Sequence, residues 1–514
     1  MKFIKLLPYF ISIGLLVSCG LKKQSENNAN KIDFTFLQLN DVYEIAPIQG
    51  GAYGGLARVE TVHKELLKEN KNTMLFMAGD FLNPSLIGTL KVAGERVKGK
   101  QMVEVMNAMN FDLVAFGNHE FDVSKEALQK RLNESNFPWI SANVKLKTKD
   151  AAIPFYKIKN GEQHPVNTTF VKAFTAADGT PIKIGFISVC IPSNPQDHVT
   201  YSNMFTAAKA SYEALKDSVD VVFGLTHATL ANDKRIAKFL PNLPLIMGGH
   251  EHANSTNFVG DVQISKADAN AKTVFIHRIS YDKKTKKTVV TSELKEINTS
   301  IKEDKKVAAI VRKWQQILNT KLKEIVSNPD AIIYNATTPL EGRDIPIRSV
   351  QTNLGTVITN AMSFAFEGNV DAALVNGGSI RIDDQLSNAI TAVDIFRVLP
   401  YGGAILKVDI RGHLLKRVLQ YGSLAAGTGA YLQRYNATFD GKNWFIAGQL
   451  LDVQKTYTVA FSDYLLKGLD IPFLSDASAD VLKIYKPKEN ELGVDIRKAV
   501  IAYLKLETAK RAYK

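Results

Sequence analysis

The chain has 514 residues, too many for one ordinary domain, and its 45% hydrophobic content excludes a disordered or fibrous protein. Its formal net charge of +13 would concentrate anionic substrates near the surface. With only two cysteines, Cys19 and Cys190, a disulfide framework is excluded.

In chain order, Lys2 and Lys5 precede a mostly apolar run from Leu6 to Val17 that is too short to cross a bilayer as a mature helix. The run ends in Leu16-Val17-Ser18-Cys19-Gly20, which resembles a bacterial lipobox. Residues 1–18 are therefore expected to be a lipoprotein signal peptide and 19–31 a polar tether lipidated at Cys19. That places the protein on a bacterial membrane, facing the periplasm or the exterior. Lipidation of Cys19 would leave Cys190 without a partner.

From Ile32 to about Ser300, apolar strand-like runs end in polar residues and helical connections follow. Phe34 to Leu39 ends at Asn40-Asp41, Met74 to Ala78 at Gly79-Asp80, and Leu113 to Phe116 at Gly117-Asn118-His119-Glu120-Phe121-Asp122. Val221 to Leu225 ends at Thr226-His227, and Leu243 to Met247 at Gly248-Gly249-His250-Glu251-His252. Amphipathic helices are read from Leu56, Val59, Val62 and Leu66 and from Met102, Val103, Met106 and Met109. Alternation of this kind predicts a buried sheet with helical cover, its chemistry at the carboxyl ends of the strands. His119 and Asp122 stand three apart, so one helical turn would let the carboxylate orient the ring. Imidazole and oxygen donors together suit divalent cations such as Zn, Mn, Co or Fe. Two such cations need a shared anion between them, and Asp80 is the natural bridge. Lys283-Lys284-Thr285-Lys286-Lys287 lacks interleaved aromatics and reads as a solvated hairpin tip, so no specific nucleic-acid binding is expected.

These motifs are similar to the series of the calcineurin-like metallophosphoesterases, and with a long second half they resemble the 5′-nucleotidase / UDP-sugar hydrolase family. The resemblance implies an α/β protein. Its first part, 32–300, would be a four-layer α/β/β/α metallophosphoesterase sandwich, followed by a linker helix within 301–330 and an α/β substrate-binding domain over 331–514. It also implies two divalent metal ions (Zn, Mn, Co, Fe or Mg), one held by Asp41, Asp80 and His252 and the other by Asp80, Asn118, His227 and His250. His119 and Asp122 match the family's catalytic dyad. One departure stands out: the family usually has Asp-x-His at its first motif, and this chain has Asp41-Val42-Tyr43. Tyr43 is a poor ligand, because its phenol would have to lose a proton of pKa about 10.

Lys305 to Ser327 carries one apolar stripe and reads as a single connecting helix. Beyond it lie Arg343 and Arg348, then a short strand from Ala372 to Val375 ending in Asn376-Gly377-Gly378-Ser379-Ile380-Arg381. By the resemblance, Arg343, Arg348 and Arg381 would contact the substrate's phosphate end, Tyr401 and Tyr464 would stack on a base, and Asp470 would accept from ribose hydroxyls. Gly403 stands where relatives often place an asparagine that reads the base. The expected activity is metal-dependent hydrolysis of nucleoside 5′-monophosphates. The alternatives are 2′,3′-cyclic nucleotides or nucleotide sugars as substrate, or a nucleotide-binding lipoprotein that has lost turnover through Tyr43.

Overall fold

The computed structural model describes residues 31–512 except 177–178 and 194–195, so the expected signal peptide and Cys19 lie outside the described residues. The first part of the chain runs β1 (Lys31–Leu39), α1 (Leu56–Glu69), β2 (Thr73–Met77), α2 (Lys100–Met109), β3 (Leu113–Ala115) and β4 (Trp139–Ile140). Then come β5 (Thr169–Thr175), β6 (Pro181–Ile187), β7 (Val221–His227), α3 (Leu230–Phe239) and β8 (Leu245–Gly249). It closes with β9 (Ser255–Val259), β10 (Val262–Lys266), β11 (Thr273–Asp282) and β12 (Lys287–Glu296). These strands form two six-stranded sheets, ordered β12-β11-β1-β2-β3-β4 and β5-β6-β7-β8-β10-β9. Pairing is parallel through β1, β2, β3 and β4, and through β6, β7, β8 and β10.

The strands' two-residue period explains why the sheets face each other. Phe34, Phe36, Met74 and Phe76 meet Phe186, Phe223, Leu225 and Met247 in one buried cluster between the sheets. Phe36 lies 4.9 Å from Phe76 and 5.0 Å from Phe223, ring centre to ring centre. The alternate residues Leu37, Leu39, Leu75 and Met77 are buried in a second cluster with Val59, Val62 and Leu66 of α1 and Met102 and Met106 of α2. On the other sheet, Val222 and Ile246 cluster with Ile236 and Ala237 of α3. The result is the helix–sheet–sheet–helix sandwich that the resemblance implied.

The connecting helix α4 (Lys305–Lys323) begins at Asp304, whose carboxylate accepts from the Lys306 and Val307 amides. It ends four residues short of the expected Ser327, in a turn in which the Ile325 and Val326 amides both donate to the Leu322 carbonyl. Asn328-Pro329 follows, a step that disfavours helix. Val311, Trp314 and Leu318 are buried, and the helix packs on α1 and α2, with Trp314 Nε1 donating to Glu104 at 2.9 Å.

In the second part, β13 (Ile332–Glu341), α5 (Asn353–Phe364), β14 (Ala372–Asn376) and β15 (Gln385–Thr391) lead to β16 (Ile405–Arg411) and α6 (Gly412–Leu424). They are followed by β17 (Leu432–Tyr435), β18 (Thr456–Ser462), β19 (Val481–Tyr485) and α7 (Ile496–Ala512). A five-stranded sheet, β17-β14-β18-β16-β19, is the spine of this part, and β13 pairs with β15 beside it. Ala373, Val375 and Ala460 cluster with residues of α5 and α7 on one face, and Leu374, Val408 and Phe461 with Leu415 and Val418 of α6 on the other. Among the described residues, no helix is long and apolar enough to cross a membrane.

Candidate active site

Asp41 follows β1, Asp80 follows β2, Asn118 to Asp122 follow β3, His227 ends β7, and His250 and His252 follow β8. Both sheets thus deliver their carboxyl ends to one edge of the sandwich. Asp41, Asp80 and His250 take positive φ values of 54°, 60° and 83°, a region that non-glycine residues seldom occupy and that often marks functional sites. The loops approach so closely that a Cβ at Gly117 would lie 2.0 Å from Asp80 Oδ1, and one at Gly249 2.3 Å from the Ala78 carbonyl oxygen. Only glycine fits at these two positions.

Asp80, His227 and His250 bring one donor atom each into a set that could hold a metal ion. His227 donates through Nδ1 to the Ala78 carbonyl at 2.8 Å, which leaves Nε2 as the acceptor, 3.1 Å from Asp80 Oδ2. Asn118 Oδ1 and His227 Nε2 are buried and have no hydrogen-bond partner. Two orphaned acceptors beside a carboxylate are costly without a cation, so the donor set fits one. Burial is the largest influence holding the His250 imidazole down to about 4, in the neutral form that ligates metals. Glu120 ties the two loops together, its carboxylate accepting from the amides of Asp80, Phe81, Leu82 and Gly117 at 2.7 to 3.0 Å. Behind His250 and His252, the fully buried Lys266 pairs with Asp233 at 2.8 Å and with Glu251, and donates to the Gly249 carbonyl.

The Asp41 and His252 side is arranged differently. His252 Nε2 lies 3.5 Å from Asp41 Oδ1 and 3.1 Å from the Tyr43 hydroxyl. Tyr43 is 2% exposed, and burial together with Asp80, Asp383 and Asp41 pushes its phenol well above the usual range, so it stands as a neutral hydroxyl. Asp383, from the second part of the chain, enters the same space. Its Oδ2 lies 3.4 Å from His252 Nε2, 3.2 Å from His119 Nε2 and 3.5 Å from the Tyr43 hydroxyl. Sequence reading missed Asp383, which stands 340 residues from Tyr43.

His119 and Asp122 share a short 3-10 turn, in which Nδ1 meets Asp122 Oδ2 at 2.8 Å. Burial alone would lower the His119 imidazole, but Asp80, Asp122 and Asp383 hold it well above its ordinary range. Burial would likewise raise Asp122, yet the bond to His119 and the nearby Arg381 bring it down to about 2. Arg381 Nη2 reaches Asp122 Oδ2 at 3.1 Å, so a residue of the second domain touches the dyad.

Arg381 also lines a cavity of about 520 Å³ together with Arg348, Asn376, Ser379, Tyr401, Tyr464 and Asp470. Five of the six residues the sequence proposed for substrate therefore come together. Arg343 does not. It folds back on Glu341, two residues before it, with Nε to Oε1 at 2.9 Å, and its side chain is 41% exposed. Asp470 is already engaged, accepting from Asn376 Nδ2 at 2.6 Å and the Tyr464 hydroxyl at 3.2 Å. Asn376 went unread because Asn-Gly-Gly is equally a turn signal.

A calcineurin-like phosphoesterase family model matches residues 34–254, and a 5′-nucleotidase C-terminal domain model matches residues 332–475. The chain is 28% identical over 420 residues to the 5′-nucleotidase of Bos taurus, spanning 74% of this chain and 68% of that protein. To the Mus musculus 5′-nucleotidase it is 26% identical over 477 residues, spanning 81% and 78%. Among solved structures, a 5′-nucleotidase precursor from Thermus thermophilus superposes with a TM-score of 0.65 at 20% identity, covering 93% of this chain and 97% of that one.

Proposed function

This chain belongs to the 5′-nucleotidase family of phosphoric ester hydrolases, and we propose that it hydrolyses nucleoside 5′-monophosphates at a centre of two divalent cations. The observation that carries the reading is Arg381, which lines the cavity and touches the dyad through Asp122, so a phosphate held there would face His119. Asp80, Asn118, His227 and His250 would hold one ion, and Asp41, Asp80 and His252 belong to the other. When bound, such ions supply a Lewis acid that lowers the pKa of an attacking water and neutralises phosphoryl charge.

The protein's own groups do the rest. Asp122 fixes the His119 ring, whose Nε2, 3.2 Å from Asp383 Oδ2, would stabilise the charge developing on a phosphoryl oxygen. Arg348 and Arg381 offer guanidinium forks to the phosphate. Tyr401, 64% exposed, and Tyr464 offer faces for a planar base, while Asp470 would accept from ribose hydroxyls. Export and anchoring through Cys19 belong to the same proposal and rest on the sequence of residues 1–31.

A substrate panel with added Zn, Mn, Co or Mg tests the reading by measuring phosphate release. A nucleoside 5′-monophosphate should exceed 2′,3′-cyclic nucleotides, a nucleotide sugar and a chromogenic phosphate ester in kcat/KM. Preference for the cyclic nucleotide or the sugar conjugate would replace the substrate assignment. Release from none, with the nucleotide still bound by the protein, would favour a nucleotide binder without turnover.

A further inference from the structure

Lys266 ends β10 with no exposed surface, beside the strand ends that carry the candidate ligands. Resting on the reading that His227, His250 and His252 hold cations, we propose that Lys266 is a positioning residue for all three. Its ammonium fixes the backbone from which these imidazoles project.

An ammonium has three N–H bonds to give. That of Lys266 donates to the Gly249 carbonyl at 2.6 Å and to the Ala228 carbonyl at 2.5 Å. Gly249 immediately precedes His250, and Ala228 immediately follows His227. The third bond is left for two carboxylates, Asp233 Oδ2 at 2.8 Å and Glu251 Oε2. Glu251 stands between His250 and His252, and its other oxygen accepts from the Leu230 amide at the start of α3. Asp233, in the first turn of α3, accepts through Oδ1 from the hydroxyl of Thr226, the neighbour of His227, at 2.7 Å. Gly248 leaves space for this arrangement, because a Cβ there would stand 3.0 Å from Asp233 Oδ2 and 3.1 Å from Lys266 Cε.

The competing account is that Lys266 only neutralises Asp233. A buried ion pair seldom adds stability over apolar residues of the same volume, so neutralisation alone would be a poor reason to keep it. A lysine serving only Asp233 would also have no need of two carbonyls that flank ligands. Those carbonyls lie at the ends of β7 and β8, which pair in parallel as far as His227 and Gly249. Holding both sets the separation of His227 and His250, whose rings lie 5.3 Å apart. Groups that orient metal ligands from behind are typically worth about 10–100-fold in metal affinity.

The test is Mn²⁺ binding to the chelator-stripped full chain, measured by equilibrium dialysis at a temperature where circular dichroism shows each variant folded. The natural sequence should bind Mn²⁺, and Lys266→Met should raise the dissociation constant at least about tenfold. Arg131→Met is the control for a merely structural loss. Arg131 is also buried, on the helix Lys125–Glu134, where it donates to the Val97 carbonyl and pairs with Glu134. That variant should melt earlier and keep the natural Mn²⁺ affinity. Natural affinity in folded Lys266→Met would overturn the proposal, and so would an equal loss in Arg131→Met. Should Lys266→Met fail to fold, Glu251→Gln decides: it keeps an acceptor for the Leu230 amide and gives up the charge that meets Lys266. It should weaken Mn²⁺ binding severalfold, and unchanged affinity would reduce Lys266 to a folding role. A natural sequence that binds no Mn²⁺ would instead defeat the cation reading, and this proposal with it.

Discussion

In the first domain, every candidate ligand leaves the carboxyl end of a buried strand, whereas the cavity of the second is walled largely by the connections between strands. His227 ends β7 and Asp80 directly follows Ala78 and Gly79 after β2, so two sheets fix their separation before any side chain contributes. Tyr401 and Gly402 instead lie on the turn after Leu399-Pro400, and Asp470 lies past the end of β18. Strand ends hold atoms where a bond must be broken, and loops can vary what is recognised without moving them. Chemistry and selectivity should therefore come apart under mutation, with Arg381 as the joint between them.

The largest expected effect is at the sheet edge. Asp80→Asn should lose most bound metal and turnover, on the order of a thousandfold or more, equally for a nucleotide and for a chromogenic ester. Metal analysis that still finds two ions per chain would remove Asp80 from the bridging position. A smaller and selective effect is expected in the cavity. Stacking is worth about 1–3 kcal/mol per base, so replacing Tyr401 and Tyr464 together with Ala should cut kcat/KM for a nucleoside monophosphate at least about tenfold. The chromogenic ester, having no base, should be hydrolysed almost as before. Equal losses on both would show that the rings support the domain rather than the base. The smallest effect belongs to Arg343→Ala. Its guanidinium is committed to Glu341 at the surface, where such pairs contribute little, and kcat/KM should change by less than about twofold. A loss as deep as that of Arg348→Ala would mean that Arg343 swings into the cavity when substrate binds.

The strand ends could be read from sequence because an apolar run that stops at Asp, Asn or His has few structural explanations. The three-residue spacing of His119 and Asp122 likewise carried its geometry with it, down to the 2.8 Å contact. Asp383 could not be read that way. Arg381-Ile382-Asp383-Asp384 looks like a polar turn, and its meaning depends on a domain closure that brings together residues hundreds of positions apart. Arg343 was assigned to substrate by the resemblance alone, and its pairing with Glu341, two residues before it, is a local competition that the resemblance does not reveal. The pairing of β5 with β6 at the edge of the second sheet also left little trace, because Thr169–Thr175 is only partly buried and its apolar pattern is weak.

The most direct test of the account is removal and return of the metal with nucleoside 5′-monophosphate as substrate. Protein stripped by a chelator should release neither nucleoside nor phosphate, and added divalent cation should restore both in equal amounts. Turnover that survives complete removal of metal, or a reloaded protein that binds two ions yet leaves the nucleotide intact, would contradict it.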